Sequence, residues 1–254
     1  MAGARLAGRI AIVTGASAGI AESVARTFAR EGAKVAIVSR NMPEGRRVAG
    51  EIEASGAPVM MIEADVSRAE DVERMFAAVM ERWGRIDILV NGVGGWQKLA
   101  PITEVTEEEW DRIMAVNLKS VFLCVRAVAK VMIAQQYGRI INMSSQSGTA
   151  PNLGTNSNLP YATSKGAVIT FTKHLAKQLG PDGITVNCVS PGTTLTPRVQ
   201  KLWDEATVAK KSATNALRCL NDPQDSADAV LYLASDEARH VTGINLNVNA
   251  GSAF

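Results

Sequence analysis

Thr14-Gly15-Ala16-Ser17-Ala18-Gly19-Ile20-Ala21 follows the short apolar run Arg9-Ile10-Ala11-Ile12-Val13 and leads into a segment with Val24, Phe28 and Ala29 on one stripe. The run suits a parallel strand buried on both faces; the stripe suits an amphipathic helix. Strand, glycine loop and helix in that order make more than a turn. Glycine lets the backbone come close to a pyrophosphate, and the helix N-terminus turns free N–H groups toward it. Gly15, Ser17, Gly19 and Ile20 are the candidate contacts. A tight turn with no ligand is the alternative, and the rest of the chain has to decide between them.

Gly32 closes that helix as a glycine beyond the last turn does. Lys34–Val38 reads as a second strand ending at Ser39-Arg40-Asn41. In a dinucleotide fold this strand end faces the adenosine ribose. An acid there accepts from a 2′-hydroxyl, and an arginine pairs with a 2′-phosphate. Arg40 with Ser39 and Asn41, and no acid, favours NADP(H) over NAD(H), although Arg40 can also simply solvate a loop.

The same alternation continues. Glu44–Ser55 reads as a helix, and Pro58–Glu63 as a strand ending at Asp65-Val66. Asp65 is placed to accept from an adenine amino group, and either Asp65 or Ser67 can cap the helix expected from Arg68 to Trp83. Arg85–Val90 is a fourth strand, followed by Asn91-Gly92-Val93-Gly94-Gly95, a run of glycine that implies backbone pressed on a ligand or a mobile turn. Trp96 and Gln97 come directly after it. Thr106 caps a long helix that runs toward Gln136 and carries Asn117 among apolar neighbours. Gly138–Met143 is a fifth strand, ending at Ser144-Ser145-Gln146-Ser147-Gly148. An asparagine-rich loop, 150–160, leads to a helix from Tyr161 with Val168, Phe171, Leu175 and Leu179 on one face. Ile184–Val189 is a sixth strand. The weakly periodic segment 193–220 is a candidate lid. Pro223–Ala234 is a helix and Gly243–Val248 a last strand. About seven strands alternating with helices argue for one doubly wound parallel α/β sheet, with residues 1–254 as a single domain.

Composition adds exclusions. Of 254 residues, 46% are hydrophobic and the formal charge is +2, so there is material for a sizeable core and no basic patch for nucleic acid. No run of eighteen apolar residues and no apolar leader is present, which leads us to expect a cytoplasmic protein that does not enter a membrane. Cys124, Cys188 and Cys219 are odd in number and widely spaced; reduced core thiols, and no metal site, are expected.

Tyr161 and Lys165 stand four apart and share a helix face. A free phenol, pKa about 10, is a weak base near neutrality. An ammonium at ~4 Å would stabilise its phenolate by about 4 kcal/mol at an effective dielectric of ~20, before desolvation subtracts. That is enough to make Tyr161 a general acid and base. His174 and His240, the usual rivals for proton transfer, lie in no motif.

Together the chain resembles the short-chain dehydrogenase/reductase family over nearly its whole length. The motifs are Thr14-Gly-x-x-x-Gly19-Ile20, Asp65-Val66, Asn91-Gly92, Val116-Asn117, Ser144-Ser145, Tyr161-x-x-x-Lys165 and Pro191-Gly192-x-x-x-Thr196. The resemblance implies a Rossmann fold, a nicotinamide cofactor and hydride transfer to or from a small alcohol or carbonyl compound. It implies a tetrad of Asn117, Ser145, Tyr161 and Lys165. Ser145 is chosen over Ser144 because the family's serine is followed by two residues and a glycine. Ser145 would hold the substrate oxygen, Lys165 the nicotinamide ribose, and Asn117 a water that links Lys165 to solvent. Val93, Pro191, Gly192, Thr194 and Thr196 join the cofactor contacts, and a homotetramer is implied. The chain departs from the pattern at Ala21, where a third glycine is usual, at Gly92, where a second asparagine is usual, and at Ala18, where NADP-using members often carry a base. The spacing from Ser145 to Tyr161 is about three residues longer than usual, and Asn249-Ala250-Gly251 stands where a double glycine is common. Trp96, Gln97, Gln146, Ser147, Asn152, Asn156, Asn158, Leu195, Leu202 and Trp203 are expected to border the substrate, the amides hinting at a polar one. A catalytically silent dinucleotide sensor on the same fold is the rival reading; the intact tetrad speaks against it.

Overall fold

The computed structural model describes residues 4–96, 99–150 and 158–252. Its centre is an all-parallel sheet of seven strands: β1 (Ile10–Thr14), β2 (Lys34–Ser39), β3 (Val59–Glu63), β4 (Ile88–Asn91), β5 (Gly138–Met143), β6 (Ile184–Pro191) and β7 (Asn245–Val248), in the order β3-β2-β1-β4-β5-β6-β7. Successive side chains of a strand point to opposite faces. Ala11 and Val13 therefore enter the layer with Phe28 and Val230, while Ile10 and Ile12 enter the layer with Met75 and Val128. With both faces covered, the inner strands are buried almost throughout. The two edge strands, β3 and β7, are half-buried to exposed along their length.

On the first face lie α1 (Gly19–Arg30), α2 (Met42–Ala54) and α9 (Pro223–Ala234). On the second lie α3 (Ala69–Trp83), α5 (Ser120–Gln135) and α6 (Leu159–Leu179). Gly32 takes a left-handed φ of 84° just past α1, the conformation a residue with a Cβ resists. The expected helix 223–234 is found with the same ends, held by a reciprocal Asp222–Asp225 capping box.

Several local expectations need correction. The helix beginning at Ala69 is capped by neither Asp65 nor Ser67. The Asp65 carboxylate instead accepts from the Ser67 N–H and hydroxyl, closing a turn before the helix starts. The long helix through Asn117 is α4 (Glu107–Met114) and α5 joined by a π-helical turn, Ala115–Lys119. Such a turn inserts an extra residue and re-aims its side chain. The tyrosine helix starts at Leu159, not at Tyr161. Cys124 and Cys188 are buried, but Cys219 is exposed on the loop before α9, so it is no core thiol.

Strand order reverses between β1 and β4, where a crevice opens at the strands' carboxyl ends. Thr14 pairs with Asn91, and Asn91 with Asn142, across three adjacent strand ends. Asn91 donates to Asn142 (2.8 Å), which donates to Thr172 on α6 (2.9 Å). The Thr14 hydroxyl accepts from Gly92 N–H (3.0 Å). This buried polar row has its hydrogen bonds made, as burial requires, and it ties the loops after β1 and β4 to α6.

Candidate active site

A cleft of about 610 Å³ runs along these strand ends, from the β2 and β3 termini to Tyr161. Its middle is the glycine loop. Gly15 has φ 74°, and a Cβ there would meet the Gly92 carbonyl and Val93 nitrogen at 3.1 Å. Gly19 has φ 63° and faces Thr196. Ala18 occupies the N-cap of α1 without a side-chain cap, so the first N–H groups of that helix are left for an anion. Gly15, Ser17, Gly19 and Ile20 all line the cleft. A cradle without Cβ atoms and an uncapped helix N-terminus fit the pyrophosphate of a dinucleotide.

The two departures at 21 and 92 form one steric pair. A Cβ on Gly92 would lie 2.8 Å from the Ala21 methyl and 2.5 Å from the Thr14 carbonyl oxygen. The methyl gained at 21 is accommodated by the side chain lost at 92. Gly92→Ala is expected to destabilise the protein by about 2–3 kcal/mol through overpacking. Ala21→Gly would not rescue it, because the Thr14 contact remains; thermal melts of both single variants and the double check this.

At the adenosine end, Ser39 donates to Ser17 (2.8 Å) and Asn41 N–H donates to Ser39 (3.0 Å). Asn41 also caps α2. The Arg40 guanidinium lies 3.3 Å from Asp65, with its side chain 68% exposed. Burial raises the Asp65 carboxyl, but hydrogen bonds from Ser67 and the nearby Arg40 charge outweigh it and leave it below the usual range. Ser39, Arg40, Asn41, Asp65 and Val66 line this end, with Gly92 and Val93 beside the loop; Asn91 sits behind it in the buried row.

At the other end stand Ser145, Tyr161 and Lys165. Ser145 precedes a short 3-10 turn, and its hydroxyl oxygen accepts from Ser147 N–H (3.2 Å). It is near enough to the Tyr161 phenol to draw that group's pKa down. Lys165 is buried, and its ammonium donates to the Met143 carbonyl (2.7 Å) at the end of β5. Ser144 fixes the same turn of α6 by donating to the Lys165 carbonyl (2.7 Å).

Asn117 does not line the cleft. Its amide oxygen accepts from Gly95 N–H, and its NH2 donates to the Gly95 carbonyl (both 2.8 Å) and to Ser164 (3.0 Å). Ser164 in turn donates to the Tyr161 carbonyl (2.7 Å). Both amide protons are thus engaged, and Asn117 pins the glycine run to the turn that carries Tyr161.

The Lys165 nitrogen lies 5.8 Å from the centre of the Tyr161 ring. Burial is the larger influence on the Tyr161 phenol and pushes it above its ordinary value, while Ser145 pulls the other way. Burial also lowers Lys165 from 10.5 to about 8.

Pro191, Gly192, Thr194 and Thr196 line the nicotinamide end. Thr196 caps α7 (Pro197–Leu202), which is followed by α8 (Glu205–Ser212). Of the expected substrate residues, Trp96 lines the cleft. Gln97, Asn152 and Asn156 lie outside the described residues. Leu195, Leu202, Trp203, Gln146, Ser147 and Asn158 are not in its lining. Leu202 is solvent-exposed, Trp203 is stacked near Lys211, and Gln146 accepts from Ser252, so these side chains are turned to other partners. Gly94 and Gly95, read from sequence as backbone pressed on a ligand or as a mobile turn, line it, as does Val116; Arg198, which sequence reasoning passed over, lines it too. Arg198 was findable: it stands two residues after the motif threonine, at a helix start. Among the described residues no group of three metal-ligating side chains converges, and no helix is long and apolar enough to cross a membrane.

Comparison with known proteins agrees with this geometry. Residues 15–253 match the family model described as Enoyl-(Acyl carrier protein) reductase. The 3-oxoacyl-(acyl-carrier-protein) reductase FabG of Vibrio cholerae is 38% identical over 97% of this chain and 98% of its own. The (+)-borneol dehydrogenase 2 of Salvia officinalis is 35% identical over 97% of this chain and 90% of its own. A crystal structure of a short-chain type dehydrogenase/reductase from Mycobacterium marinum superposes with a TM-score of 0.91 at 34% identity, covering 98% of this chain and 96% of that one. Similarity of this extent to oxidoreductases, over a seven-stranded Rossmann sheet with a glycine loop at one end of its cleft and a Ser-Tyr-Lys group at the other, makes the chain a member of the short-chain dehydrogenase/reductase family.

Proposed function

We propose that the protein is an NADP(H)-dependent carbonyl reductase or alcohol dehydrogenase in which Tyr161 moves the proton. The observation that carries this reading is the convergence of Ser145, Tyr161 and Lys165 at one end of a cleft whose middle is an uncapped helix N-terminus. The dinucleotide, when bound, supplies or accepts the hydride at its nicotinamide ring. Everything else falls to side chains of this chain. In reduction Tyr161 gives its proton to the substrate oxygen, and in oxidation it takes the proton back. Ser145 donates to the same oxygen and steadies its growing charge. Lys165 contributes a fixed positive charge behind the pair, and Asn117 holds the turn of Tyr161 against the Gly95 backbone.

Arg40 supports NADP(H). It is exposed at the β2 end, and its partner Asp65 leaves guanidinium donors free for a 2′-phosphate. Arg40→Ala is expected to lower the preference for NADPH over NADH by about 10–100-fold, chiefly through the KM for NADPH. A ratio of kcat/KM values with the two cofactors measures it.

The relatives' names span acyl thioesters and a terpenoid alcohol, so membership alone does not choose a substrate. The decisive experiment is a panel of ketones and alcohols with both cofactors, followed at the nicotinamide absorbance. Turnover that prefers NADP(H) is expected; no turnover, with cofactor bound, would favour a silent dinucleotide sensor. The homotetramer belongs to the same reading, with exposed Phe122 and Ile133 of α5 as contact side chains; light scattering tests it.

A further inference from the structure

Four charged side chains line the cleft, and three of them are engaged. Arg40 and Asp65 face each other at the adenosine end, and the Lys165 ammonium is buried on the Met143 carbonyl. The fourth is Arg198, the second residue of α7. Pro197 before it fixes the entry into the helix, and the Thr196 cap holds that first turn. The Arg198 guanidinium lies 5.1 Å from the centre of the Trp96 ring. A guanidinium on an aromatic face is held by the ring while its N–H donors remain free in their own plane.

Those donors have no acid to meet. Arg198 is in no ion pair among the described residues, and Asp65, at the far end, is the only carboxylate in the lining. Residues 97–98 and 151–157, outside the described residues, contain no Asp or Glu and one Lys, Lys98. Among the described residues, the reacting end of the cleft therefore carries a cation on an aromatic seat and no anion. We propose that Arg198, seated on Trp96, is a specificity-determining residue that selects carbonyl substrates bearing a carboxylate. A single guanidinium fork matches the two oxygens of one carboxylate. A phosphate dianion would ask for a second cation, and among the described residues none lines this end except the engaged Lys165.

The assignment rests on the oxidoreductase reading above. One competing role is built into the same geometry: α7 leans on the glycine loop, with the Thr196 methyl 3.3 Å from where a Gly19 Cβ would be. Arg198 would then serve the cofactor pyrophosphate. Wild type, Arg198→Gln and Arg198→Lys are to be compared on matched oxo acids and their methyl esters, of increasing chain length, with saturating NADPH. The wild type should prefer the acids. Arg198→Gln should lose about 10–100-fold in kcat/KM on the acids, stay within about twofold on the esters, and bind NADPH unchanged; Arg198→Lys should keep part of the preference. Equal losses on acids and esters, weakened NADPH binding, or a wild type that prefers esters would each overturn the assignment and leave the oxidoreductase reading intact. Binding of malonate and succinate to the protein–NADP+ complex, by calorimetry, gives an answer without turnover. Binding abolished in Arg198→Gln supports the site; no binding to wild type rejects it. Failure to reduce any carbonyl, acid or ester, counts against the oxidoreductase reading itself.

Discussion

Tyr161→Phe is expected to lower kcat for carbonyl reduction by about 10³-fold while leaving the dissociation constant for NADPH unchanged. The phenylalanine ring fits the same half-buried position on the first turn of α6, so folding should be unaffected. What disappears is the oxygen that meets Ser145 and would carry the proton. General acid catalysis of this kind is worth roughly 10²–10⁴-fold, which sets the size of the effect. Direction matters too. Burial holds the phenol above its ordinary value, so in the protein it keeps its proton through neutral pH and is ready as an acid. As a base it must first ionise, so alcohol oxidation by wild type should climb as pH rises, and that climb should be missing in the variant. Steady-state rates in both directions, with cofactor binding by fluorescence, test both parts. Unchanged turnover in Tyr161→Phe would remove the phenol from the reaction.

The fold was legible wherever a residue's role is local. The apolar runs of β1 and β2 are continuous because both sheet faces are covered. The glycine loop and the capping box before α9 state their own backbone geometry. The site was legible where motif residues sit at strand ends. It was less so where one side chain's use depends on another's. Asn117 was expected to hold water, yet its position on a π-helical turn turns the amide onto Gly95, a partner 22 residues away that no local pattern announces. Asp65 was expected to cap a helix, but Ser67 and Arg40 take its oxygens first. Ala21 and Gly92 read as two unrelated departures until the β1–β4 crossing brings them together. The substrate side was the least legible. Its walls come from segments whose side chains answer to tertiary packing: Leu202 and Trp203 have an apolar look but face away, whereas the charged Arg198 faces in.

Lys165→Met is expected to abolish most turnover and, at neutral pH, to make the protein more stable. Lys165 is buried, and burial lowers its ammonium from 10.5 to about 8. A depressed lysine means that the folded state holds the charge less willingly than the unfolded chain does. At roughly 1.4 kcal/mol per unit, the folded protein carries a cost of about 3 kcal/mol wherever both states are charged, that is, below pH 8. The cost relaxes as pH rises from there toward 10.5. Methionine fills a similar volume without the charge. Against the gain stands the Met143 carbonyl, which loses its 2.7 Å partner at a cost of about 1–3 kcal/mol. The balance favours the variant by about 1 kcal/mol, or about 2–4 °C in melting temperature for a chain of this size. The difference should be largest at pH 7 and shrink by pH 10, and wild-type reduction should itself decline as pH passes about 8 and the ammonium is lost. Melts of both proteins at the two pH values decide it; a methionine variant that melts lower at pH 7 refutes the argument. A charge kept beside Tyr161 at the expense of the fold is understandable only if the fixed positive potential there serves the proton transfer, since an apolar side chain would serve the core better.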